Sequence, residues 1–132
     1  MKPVRLLFAI ACLLMVVCSC RKDRDADLYG KWRLVATCGA YANGGSFTWM
    51  DVPAGQSHTL ELTEDGYYSE QVPGGNTCTG TYRQLPGNEL EILSTCQTVP
   101  VKVKISQLTR NTLIIDHPVI EGVIREKYTS AH

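Results

Sequence analysis

From Leu28 onward, apolar and polar residues alternate in short runs. Trp32, Leu34 and Ala36 alternate with Lys31, Arg33 and Val35, and Leu60 and Leu62 with Thr59, Glu61 and Thr63. Cys78, Gly80 and Tyr82 share one face, while Thr77, Thr79, Thr81 and Arg83 take the other. Leu90 and Ile92 alternate with Glu89 and Glu91, and Val101, Val103 and Ile105 with Lys102 and Lys104. A period of two with one apolar face predicts half-buried β-strands. Residues 112–115 and 123–129 are less regular but rich in β-formers. Asp65-Gly66, between two such runs, predicts a hairpin. Pro86-Gly87-Asn88 and Arg110-Asn111 predict two more turns. No long 3.6-residue period interrupts the pattern, which leaves no crossover helices for a parallel sheet. The expectation is an all-β fold: an antiparallel up-and-down meander of about eight strands that closes into a small barrel. The glycine-rich segment 39–45 and Gly74-Gly75 would then be loops around one open end.

The first residues follow a different rule. Lys2 and Arg5 precede an uncharged apolar run over 6–17, shorter than the roughly 20 residues a transmembrane helix needs. A basic start, a short apolar core and then small residues form the pattern of a secretory signal. Its end, Val17-Cys18-Ser19-Cys20, resembles the bacterial lipobox, in which the last cysteine becomes a lipid-bearing N-terminus. The resemblance implies a signal peptide at 1–19, a lipidated tether at 20–27 and a folded domain at 28–132. It also implies a protein held at the outer membrane, on the periplasmic face or the cell surface. Several acyl chains hold a protein on a bilayer where one does so only marginally. Loss of Lys2 and Arg5 leaves 11 basic against 13 acidic residues in a mature chain of net charge −2. That balance argues against nucleic acid as a partner. Residues 21–27 are charged and almost free of apolar side chains, as expected of a solvated tether.

Gly30-Lys31-Trp32 resembles the Gly-x-Trp opening of lipocalins. Its context strengthens the likeness: the run from Leu60 to Tyr68 around Asp65-Gly66, then Cys78-Thr79-Gly80-Thr81-Tyr82, then 108–113, then Glu126-Lys127-Tyr128. In this order they look like the small lipocalin-like domain of Gram-negative lipoproteins. The resemblance implies that Trp32 closes one end of the barrel beneath Arg125 or Lys127, a cation over an aromatic face. An eight-stranded barrel is either packed solid or holds one small ligand. A small apolar ligand and contact with another envelope protein are therefore both open. Trp49, Phe47, Tyr41, Tyr67 and Tyr68 lie near loops and suit either a barrel mouth or ordinary sheet packing. Trp49, Phe47, Tyr67 and Tyr82 are the candidate ligand contacts.

Three cysteines follow Cys20, in an oxidising compartment that favours one disulfide. A turn centred on Pro86-Gly87 sets Cys78 almost opposite Thr95, one residue from Cys96. The same two positions look like the paired cysteines of the related lipoproteins. Cys78–Cys96 is therefore expected, with Cys38 free. Neither a Cys-x-x-Cys nor a histidine cluster suggests a metal. His58 would open a strand on its wet face, His117 would sit in a turn, and His132 ends the chain. Nothing resembles a nucleophile elbow or a phosphate-cradling loop. No cofactor and no enzymatic activity are expected.

Overall fold

The computed structural model describes residues 27–41 and 48–132, omitting the side chains of residues 40 and 41. The expected signal peptide, the lipidated Cys20, most of the tether, Tyr41's side chain and Phe47 lie outside the described residues. Among the described residues nine strands follow in chain order: β1 Gly30–Tyr41, β2 Met50–Asp51, β3 Thr59–Leu62, β4 Tyr67–Gln71, β5 Thr77–Leu85, β6 Glu89–Ser94, β7 Val101–Leu108, β8 Thr112–Val119 and β9 Gly122–Ser130. From β3 to β9 each strand pairs antiparallel with the next, and β9 returns to β1 along a seam from Trp32↔Ser130 to Tyr41↔Gly122. β1 gives its other edge first to β3 and then, at Ala36 and Thr37, to the two residues of β2. Eight long strands thus close into an up-and-down barrel, as the alternation predicts, and closure removes the open sheet edges.

The predicted turns form where the residues tolerate them. Gly66, at φ 90°, closes β3 onto β4, and the Thr63 hydroxyl accepts the Tyr67 N–H at 3.0 Å. Gly87 and Asn88 both take positive φ between β5 and β6, a region open to glycine and asparagine. These turns, with the one at 109–111, mark the base of the barrel. Loops 72–76 and 95–100 and the β8–β9 turn at 120–121 mark its mouth.

The core fills the base half. Leu62, Leu90 and Leu113 are almost inaccessible, and Trp32, Leu60, Tyr82, Ile92, Val103 and Ile115 pack with them. Leu28 caps this end, its carbonyl accepting the Trp32 indole N–H at 2.9 Å. The Tyr82 hydroxyl donates to the Thr63 carbonyl at 2.6 Å.

Two expectations about facing need correction. Leu34 pairs with Tyr128, but Ala36 pairs with Lys127, so Val35 is an extra residue in β1. Such a bulge reverses which residues face inward. Trp32 and Leu34 point into the barrel; Ala36 and Cys38 point to its outer wall, and Thr37 faces inward opposite Glu126. The second correction concerns Arg125. It lies opposite Cys38 and forms a two-pronged ion pair with Asp116 at 2.7 and 2.9 Å. Lys127 sits 4.7 Å from the ring of Trp49. Neither cation covers Trp32, because both face outward while the end of β9 beside Trp32 is Ser130. The Trp32 plug is completed by Leu28 instead.

Candidate functional site

The mouth half of the barrel carries ionisable groups on the same inward face that is apolar at the base. His58, just before β3, shares its face with Leu60 and Leu62, and its carbonyl accepts the Leu34 N–H at 2.9 Å. Its Nδ1 lies 3.2 Å from Glu70 Oε1 on β4. Glu70 Oε2 accepts the Tyr68 hydroxyl at 2.9 Å. Across the interior, His117 on β8 places Nε2 2.7 Å from Glu126 Oε2 on β9. The Tyr128 hydroxyl donates to that same oxygen at 2.6 Å. The motif is thus built twice: a glutamate and a tyrosine two residues apart on one strand, with a histidine beside the glutamate from the neighbouring strand. The period of two is what lets glutamate and tyrosine meet.

The two sets are close enough to act on each other. Glu70's charge is felt at His117 and Tyr128, Glu126's at Tyr68, and His58's at Glu126. Burial pushes the His117 pKa down, but the Glu126 hydrogen bond and charge, with Glu70 and Asp116, outweigh it and raise it above the usual 6.5. Burial likewise pushes the Glu126 carboxyl up, and His117, the Tyr128 hydroxyl and His58 together hold it below its usual 4.5. Tyr68 and Tyr128 are driven well above the ordinary phenol range by burial and by the adjacent carboxylates. Both tyrosines therefore act as hydrogen-bond donors and both glutamates as acceptors.

Access is from the mouth, where the side chains of His58, Glu70, His117 and Glu126 remain 30, 26, 35 and 20 % exposed. Gly39, opposite Ile124, has open space where a side chain would start. Ile120, Val99, Val119 and Ile124 form an exposed apolar rim. The Cys78–Cys96 disulfide ties the start of β5 to the loop after β6 at this end. That is the expected pair, and Cys38 is free, as expected; its burial is a finding of the structure.

The aromatic candidates do not converge. Trp49 lies on the outer wall beside Lys127. Tyr67, opposite Thr81, faces out and is 43 % exposed. Tyr82 faces in, but at the base. The polar set was missed because His58 and His117 read as wet-face and turn residues; His117 is in β8, facing in. One signal was available: Glu70 and Glu126 each fall two residues from a tyrosine, on that tyrosine's face.

Both histidines are engaged by carboxylates, and neither has a serine or cysteine partner. Among the described residues no group of three or more His, Cys, Asp and Glu converges to hold a metal ion. Burial raises the Cys38 thiol pKa, which leaves it a poor nucleophile. An open groove of about 320 Å³ lies at the base, lined chiefly by Leu28, Gln84, Asn88, Glu89, Gln107 and Leu108.

Neither a protein-family model nor a curated protein sequence matches the chain. Among solved structures it is similar to a lipocalin-like protein from Bacteroides uniformis, with a TM-score of 0.55 and 20 % identity over 79 % of this chain and 98 % of that one. At that identity the likeness concerns the fold, and the fold is a lipocalin-like barrel.

Proposed function

We propose that this protein is a lipid-anchored envelope lipoprotein whose barrel binds a small ligand at its mouth, with no catalytic activity. One observation carries the reading: two His–Glu–Tyr sets face the interior at the open end. Burying ionisable groups is unfavourable unless they are paired, and a barrel under pressure only to be solid would place leucines there. A lipocalin-like barrel suits a small ligand, and the apolar rim suits a ligand with an apolar body and a polar head. The anchor bears on geometry too. Leu28 enters at the base, so an eight-residue tether from Cys20, reaching at most about 29 Å, would hold the base toward the membrane. The mouth would then open away from the bilayer, to a ligand arriving through the aqueous side.

The alternative is a docking role toward another envelope protein, which the exposed Val99, Val119 and Ile120 favour. Native mass spectrometry of residues 21–132, which contain the whole closed barrel, secreted in and purified from the host, separates the two. A bound small molecule is expected. An apo mass together with co-purification of an envelope protein overturns the ligand reading. The anchor has its own test. The intact mass of the membrane-extracted protein should start at an acylated Cys20, and a chain beginning at another residue would remove the lipid from the proposal.

A further inference from the structure

Resting on the mouth as the ligand site, we propose that the ligand's polar head is a cationic amine, held between Glu70 and Glu126. The donors already present use only part of what two carboxylates accept. Both contacts to Glu126 fall on Oε2 and neither on Oε1. Glu70 spends Oε2 on Tyr68 and shares Oε1 with His58 at 3.2 Å, the longest contact of the set. An ionised carboxylate has about four acceptor positions and no donor, so the group that completes this site must donate. Tyr68 and Tyr128 keep their protons and are aimed at the carboxylates, which leaves an incoming acceptor little to bind. The field has the same sign as the hydrogen-bond demand. His117 balances Glu126, whereas Arg125 and Lys127, the cations nearest along β9, face the outer wall and engage Asp116 and Trp49. An anionic head would meet two carboxylates with, among the described residues, no inward arginine or lysine to receive it. A primary ammonium, with three N–H donors, reaches Glu126 Oε1 and replaces the long His58 contact at Glu70. Its apolar body would then lie along Ile124, Val119 and Val99 toward the rim.

The test uses three probes of equal length: hexylamine, hexanol and hexanoate. Each is titrated into residues 21–132 at pH 8 and followed by the ring resonances of His58 and His117. Hexylammonium is expected to bind at least tenfold more tightly than hexanol, with hexanoate weakest. Glu70→Gln and Glu126→Gln should each remove the tenfold preference for the ammonium over hexanol. Because Glu126→Gln also breaks the His117 pair, the more exposed Glu70→Gln serves as the variant that keeps the fold. If hexanol or hexanoate binds as tightly as the amine, the mouth is a ligand site and the cationic head is wrong. If none of the three moves either histidine, both the head group and the mouth site fall.

Discussion

Gly80 is where the barrel leaves no room for a side chain. It faces inward between Tyr68 on β4 and Ser94 on β6. A Cβ built there would lie 1.9 Å from the Leu93 carbonyl oxygen and 2.7 Å from the Ser94 Cα. Both are backbone atoms, so no rotamer change relieves the clash. Gly80→Ala must push β5 and β6 apart by more than about 1 Å to reach ordinary contact. That movement strains the Thr95 N–H bond to the Thr79 carbonyl, now 2.8 Å, and the Thr79 N–H bond to the Thr95 hydroxyl, now 3.2 Å. Two weakened hydrogen bonds at about 1 kcal/mol each, plus overpacking of about 1–3 kcal/mol, give about 3–5 kcal/mol. For a domain of this size each kcal/mol lowers Tm by about 4–8 °C, so a fall of about 15 °C or more is expected in thermal unfolding followed by circular dichroism. Gly39→Ala is the matched control. It also faces inward, but nothing lies within 4 Å of the added carbon. Restricting the unfolded chain should raise stability by about 0.4–1 kcal/mol there. A Gly80→Ala chain melting within 5 °C of the parent, on this roughly 15 °C expectation, would refute the close approach of β5 and β6.

The His117–Glu126 pair makes a pH prediction. His117 is raised above 6.5, so its contribution is complete below that value and is lost as pH rises through the higher folded pKa. Glu126 is held below 4.5, so its contribution is present above that value and is lost as pH falls through the lower folded pKa. The pair therefore stabilises most between pH 4.5 and 6.5, and Glu126→Gln should lower the His117 titration, leaving only Glu70 and Asp116 to oppose burial. An unchanged NMR titration of His117 would show that Glu126 is not its partner. Replacing Cys78 and Cys96 by alanine frees a loop of sequence separation 18 and should cost about 3 kcal/mol. Unfolding in urea with an unshifted midpoint would contradict this. Asp116→Asn removes the carboxylate that receives both Arg125 hydrogen bonds, in a site where the Arg125 and Asp116 side chains are 27 and 14 % exposed. A loss of about 2 kcal/mol is expected, and none at all in urea unfolding would mean the pair is fully solvated.

What the linear sequence determined by itself was the local rule. Alternation set strand character, and Asp65-Gly66 and Pro86-Gly87-Asn88 set where strands reverse. With the turn placed at Pro86-Gly87, the register followed closely enough to pair Cys78 with Cys96. Period two is a property of the backbone, so it survives into the folded state wherever the ladder is regular. The tertiary structure alone decided which side of each strand faces in. The extra residue at Val35 sends Ala36 and Cys38 outward although they continue the apolar alternation of Trp32 and Leu34. Parity along β9 likewise turns Arg125 and Lys127 away from the Trp32 plug. The candidate site was hidden for the same reason. Glu70 and Glu126 lie 56 residues apart in sequence, and a charged residue on an apolar face reads as a break in the pattern until barrel closure sets two such breaks opposite each other. Only closure brings β4 and β9 to one mouth, because the pairing of β9 with β1 joins the first and last strands of the barrel, a contact that no local pattern encodes.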